Sequence, residues 1–154
     1  MKNLSHHLAA LAVTAWAGSL WAIGYLAVPV LFHAQPDRQL AGMLSGEVLV
    51  RVGYLGMVCG SYLLIHRISI FGKIAFRQMP FWVIVSMLLI TLILQFGLQP
   101  AMSNLKTHDL SDVVYAERFR MLHGVSSLAY LIESLLGAIL VLKTRSESAR
   151  INDI

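Results

Sequence analysis

Residues 8–32 read "LAALAVTAWAGSLWAIGYLAVPVLF", without a single Asp, Glu, Lys or Arg. About 20 apolar helical residues cross the roughly 30 Å hydrocarbon core of a bilayer. The run exceeds that length, so it predicts a membrane-spanning helix. Residues 78–105 form a second charge-free run.

Two further segments complete the pattern. One covers 48–65 and carries Arg51 near its start; the other covers 119–142, "FRMLHGVSSLAYLIESLLGAILVL", and carries Glu133 in its body. The expected fold class is therefore all-α, an integral membrane four-helix bundle forming one domain over 1–154. Its expected spans are approximately 8–32, 48–65, 79–99 and 119–142. A composition that is 57% hydrophobic and 13% charged, with mean hydropathy +0.69, agrees with a chain whose solvent is largely lipid. The triplet Ala15-Trp16-Ala17 resembles a signal-peptidase site, but the apolar run continues to Phe32, far beyond a signal core. It is expected to remain as the first helix.

Charge orients the bundle. With four spans, both termini and the second connection share a side. Seven Lys and Arg residues fall there (Lys2, Arg67, Lys73, Arg77, Lys143, Arg145, Arg150), against five on the other side (Arg38, Arg51, Lys106, Arg118, Arg120). The excess predicts cytoplasmic termini in a plasma membrane, which is the inner membrane if the source is bacterial. The formal charge of +4 then implies anionic lipid headgroups as partner at the cytoplasmic face, and no nucleic acid. A homo-oligomer or a partner within a membrane complex is a further expectation.

Local signals mark the connections. Pro36 and Asp37 predict the first turn and Pro80 opens the third helix. Pro100 is expected to end that helix at Gln99, because it lacks an N–H and disfavours helix at the residue before it. Ser111 or Asp112 should cap the fourth. Glycines that let backbones approach are Gly18 on the first helix and Gly53, Gly56 and Gly60 on the second, with Gly42 and Gly46 at similar spacing.

The fourth span holds the chemistry. At 100° per residue His123, Ser126, Ser127, Tyr130, Glu133 and Ser134 fall within an arc of about 120°. The opposite face is apolar. The polar face should point inward, since an ionised carboxylate facing lipid costs about 3 kcal/mol or more. With no cation beside it, Glu133 is expected to be a neutral acid that donates to a hydroxyl or a backbone carbonyl, with candidate partners at similar depth in Thr14, Trp16, Ser61, Tyr62 and Ser86. Thr91, Gln95 and Gln99 recur at i, i+4 on the third helix. With His33, His123 and Ser126, Gln95 and Gln99 would form a polar cluster, whose plainer role is an interhelical hydrogen-bond network.

Three stretches, "AWAGSLWAIGYLAVPVLF" at 15–32, "QPAMSNLK" at 99–106 and "RFRMLHGVSSLAYLIE" at 118–133, resemble the family of small four-helix membrane proteins named after transmembrane protein 205. The most specific part is Phe119, Leu122, His123, Gly124, Ser126 and Ser127. The resemblance implies an integral four-helix protein of unestablished biochemical role and does not account for Glu133.

Two functions compete. One is a non-enzymatic membrane component, an assembly partner or a small conduit for solutes or ions, with no cofactor. The alternative is a redox protein holding b-type haem or a metal between histidines, His33 with His123 or His7 with His66. The sequence contains no CxxC, HExxH or Gly-rich phosphate loop, so hydrolytic and nucleotide chemistry have no support. The lone Cys59 has no intrachain partner for a disulfide and is expected to pack.

Overall fold

The computed structural model of the protein describes residues 2–106 and 113–152, and every element among them is helical. The first span comprises α1 (Lys2–Trp21), a π-helical turn (Ala22–Ala27) and α2 (Val28–Ala34). The second is α3 (Arg38–Phe71), continued by a 3-10 turn (Gly72–Arg77). The third comprises α4 (Met79–Leu92), a second π-helical turn (Ile93–Leu98) and α5 (Gln99–Lys106); the fourth is α6 (Val113–Asn152). These make four helices long and apolar enough to cross a bilayer, Leu4–Ala34, Arg38–Arg77, Met79–Leu105 and Glu117–Thr144. Each extends beyond the apolar core read from the sequence.

Asp37 caps α3, its Oδ1 accepting from the Gln39 and Leu40 N–H groups at 2.8 and 3.2 Å. Gly72 ends α3 at φ +52°, a conformation that side chains with a Cβ disfavour. The connection beyond it folds back onto the bundle: Arg67 donates to Gln78 Oε1 at 2.8 Å and the Trp82 indole donates to the Phe76 carbonyl at 2.9 Å. Pro80 lies in the first turn of α4, where its missing N–H leaves no ladder bond unmade. The residues expected to cap the fourth helix, Ser111 and Asp112, lie outside the described residues.

α1 and α4 each pack against both α3 and α6, so the helices form a closed ring. The start of α1 meets the end of α3, where the His6 and His66 rings lie 5.6 Å apart and the Tyr62 hydroxyl donates to the Ser5 carbonyl. From this end to mid-depth the bundle is tightly filled. Trp16, Leu20, Leu63, Ile84, Met87 and Leu140 are buried together. A Cβ on Gly56 would stand 2.5 Å from Trp16 Nε1, and one on Gly60 would stand 2.6 Å from Leu88 Cδ2. Those separations are too short for real atoms, so the large side chains use the space that glycine leaves.

The other half opens. Two ties close α1 against α6 at mid-depth: the Tyr130 hydroxyl donates to the Leu20 carbonyl at 2.7 Å, and the Trp21 indole to the Ser134 carbonyl at 3.2 Å. Beyond them the first span enters its π-turn. The Val28 N–H donates to the Ile23 carbonyl, five residues back, and Pro29 follows. The third span repeats the arrangement, with the Gln99 N–H on the Leu94 carbonyl and Pro100 next. A proline ring strikes the carbonyl four residues before it in a regular helix; the shifted ladder makes room.

The expectation that Pro100 ends the third helix is therefore corrected. The helix runs through it to Lys106, because in a membrane the backbone groups that proline frees are satisfied by local readjustment, not by loop and water. Gly18 is corrected as well. A Cβ there would meet nothing within 4 Å among the described residues, so it brings none of them into close approach.

Candidate functional site

Between the open halves lies a cavity of about 950 Å³ walled by all four spans. α3 contributes its small-residue face: Gly42, Ser45, Gly46, Leu49, Val52 and Gly53. The spacing is helical, so one stripe of missing side chains creates the volume. Facing it from α6 are Phe119, His123, Ser126, Ser127, Tyr130 and Glu133, and from the third span Thr91, Gln95, Gln99 and Met102. The first span adds Tyr25, Val28, Pro29 and Phe32. Gly42 and Gly46 were expected to bring backbones together; they line this cavity instead, and a Cβ on Gly42 would stand 3.8 Å from Phe32.

The floor is polar. Glu133 is 2% exposed and its Oε1 lies 2.6 Å from the Thr91 hydroxyl, which also lies 2.9 Å from the Met87 carbonyl. A hydroxyl has one hydrogen and the Met87 carbonyl can only accept. If Thr91 donates to Met87, the bond to Glu133 needs a proton on the carboxyl; if Glu133 is ionised, Thr91 turns its hydrogen to it. The same pair thus accommodates both charge states. The Trp16 indole, 1% exposed, is directed toward this carboxyl, yet its N–H reaches hydrogen-bonding geometry with no acceptor.

Of the partners expected for Glu133, Trp16 alone stands near it. Thr14 is exposed and donates to the Ala10 carbonyl, Ser61 is exposed and Tyr62 is engaged with Ser5. Thr91 was legible as part of the Thr91, Gln95, Gln99 row, but its depth relative to Glu133 depends on how α4 slides against α6, which one helix's sequence does not encode.

The rest of the expected polar set divides. His123, Ser126, Ser127, Tyr130, Gln95 and Gln99 all line the cavity. His123 stacks on Phe119 at 6.1 Å, and Ser126 lies 3.0 Å from the His123 carbonyl and 3.9 Å from Met102 Sδ. Gln95 places its Oε1 over the Gly53 backbone. Ser134 is buried outside the lining, its hydroxyl unpartnered. His33 is exposed and also outside the lining, which corrects its place in the cluster: α2 turns it away. At the opposite end His6, not His7, meets His66. Arg38, Gln39, Tyr25 and Ser45 line the cavity without having been singled out; only the glycine spacing around Ser45 hinted at them.

One wall is incomplete. α2 packs on α3 and has no comparable packing against α6 among the described residues, while the π-turn before it meets α6 at Tyr130, whose ring lies on Gly24 and edge-on to Tyr25. The lining residues Tyr25, Ser127 and Leu131 are exposed along this gap, at a level where the surroundings of a spanning helix are lipid.

Residues 11–109 match the family model described as a domain of unknown function (DUF4149). The chain belongs to this family. The DUF4149 match begins within α1, continues through the second and third spans and stops before α6, the helix that carries His123 and Glu133. No curated protein and no solved structure matches the chain.

Proposed function

We propose that the protein is a non-enzymatic, multi-pass membrane component that holds a small amphipathic molecule drawn from the bilayer. The observation that carries this reading is a cavity of about 950 Å³, apolar over most of its wall, polar at its floor and along α6, and open between α2 and α6. Volumes of a few hundred to about 1,000 Å³ with few placed polar groups suit small-molecule sites. The filled half around Trp16, Ile84 and Met87 favours a holding site over a solute or ion conduit. Among the described residues the lining has one histidine, His123, which favours this reading over bis-histidine haem. The finer likeness to the transmembrane protein 205 family rests on its quoted residues and agrees with such a role.

The test is native mass spectrometry of the protein extracted in mild detergent, alongside titration with an apolar fluorescent probe. Probe binding that Gly46→Trp abolishes supports the reading. If the parent neither retains a small molecule nor binds the probe, the reading fails. Cytoplasmic termini belong to the same proposal and rest on the Lys and Arg count. A Lys143→Cys reporter in a Cys59→Ala background should resist impermeant thiol reagents added outside intact cells; efficient labelling would reverse the orientation.

A further inference from the structure

We infer that the cavity's ligand is an organic cation, a protonated amine with an apolar body, whose charge is neutralised by Glu133 in exchange for that residue's proton. The inference rests on the cavity reading above and adds the chemistry of the occupant.

Four observations converge. Glu133 and Arg38 are the only Asp, Glu, Lys or Arg side chains in the described lining, and they stand at opposite ends. Glu133 shares the depth of Gly53 through Thr91, and Arg38 lies 15 residues earlier on α3, about 22 Å away at 1.5 Å per residue. Arg38 is thus too distant to compensate the carboxylate. A bare carboxylate at this depth is unfavourable, so a positive charge must come from a proton or from a ligand.

The Thr91 hydroxyl lies within reach of both the Met87 carbonyl and Glu133, and the Trp16 N–H is buried without an acceptor. Both can turn to a carboxylate that forms when the proton leaves. The rings of Tyr25 and Tyr130 face the same space, and aromatic faces attract ammonium groups. The volume far exceeds an inorganic ion, and no group of three or more His, Cys, Asp or Glu among the described residues could hold a metal.

Around the carboxyl, α1 presents Trp16, α3 presents Val52 and Gly53, and the third span presents Met87, Thr91 and Gln95. None of these titrates. Tyr130 on α6 is the titratable neighbour, with Tyr25 beyond it; His123 stands about ten residues earlier on α6, some 15 Å toward the far end. The exchange is balanced: the ammonium enters with its positive charge, and the carboxyl proton leaves to solvent.

The test uses the full chain in mild detergent at pH 7.5 with two fluorescent probes of equal shape, 1-naphthylmethylammonium and neutral 1-naphthalenemethanol. The parent should bind the ammonium at least about tenfold more tightly and release a proton on binding, seen with an indicator in weak buffer. Glu133→Gln should lose both the preference and the proton release while still binding the alcohol. If the parent binds both probes equally, or the preference persists in Glu133→Gln, the inference falls and the cavity reading stands. If the parent binds neither probe, the cavity reading fails and takes this inference with it.

Discussion

Gly56 and Gly60 lie in one half of α3, Gly42 and Gly46 in the other, and the two pairs have opposite consequences. Opposite the first pair stand Trp16 and Leu88, which fill the space glycine leaves. The second pair lines the cavity instead, and a Cβ on Gly42 would stand 3.8 Å from the Phe32 ring, an ordinary contact distance. A small residue on a membrane helix is therefore neither a packing motif nor a void in itself. The side chain on the facing helix decides which it becomes. In the filled half cohesion comes from close contact, since lipid tails are as apolar as the helices and give no hydrophobic drive to association. In the open half Tyr130, Thr91 and Glu133 hold the helices through hydrogen bonds around a space.

This contrast can be broken most forcefully at Trp16. Trp16→Ala empties the centre of the filled half and should lower stability by about 3–5 kcal/mol, read from thermal unfolding in detergent. A loss below 1 kcal/mol would mean that the filled half is not what holds the bundle. Gly56→Ala and Gly60→Ala insert a methyl where the indole and Leu88 already stand and should each lower stability by about 1–3 kcal/mol in the same assay.

The open half should respond more weakly. Glu133→Leu removes the bond to Thr91 and should lower stability by about 1 kcal/mol, with Glu133→Gln losing less because the amide keeps a donor and an acceptor. An infrared carboxyl band at pH 7 that vanishes in Glu133→Gln would show the neutral acid; a carboxylate band in its place would show an ionised group without added ligand. The smallest effect belongs to Gly124→Ala. A Cβ there meets nothing within 4 Å among the described residues, and the helical alanine should raise stability by about 0.4–1 kcal/mol. A destabilised Gly124→Ala would reveal a contact that the isolated bundle lacks, such as a second copy.

The sequence exposed the four spans, the Asp37 turn and the common face of the α6 polar residues, since length, hydropathy and helical period are properties of one segment at a time. Relations between segments were hidden from it. That Glu133 meets Thr91 and not Ser86 depends on the axial offset of α4 against α6. That Gly18 meets none of the described residues while Gly56 is filled depends on which residue faces each. The two π-turns were also hidden: proline signals a break in water, whereas here the third span continues for six residues beyond Pro100.

Those π-turns also bear on how the chain tolerates insertion and deletion. Each is equivalent to one residue added to an otherwise regular α-helix, and the residues beyond it are rotated by about 100° relative to the uninterrupted phase. Removing one residue within 93–98, together with Pro100→Ala, would restore the α-helical ladder. Gln99 would keep its present orientation toward the cavity, because the deleted residue and the lost π-turn rotate it by equal and opposite amounts. Relatives aligned through these segments should therefore gain or lose the single residue and the proline together, as one joint event in each span.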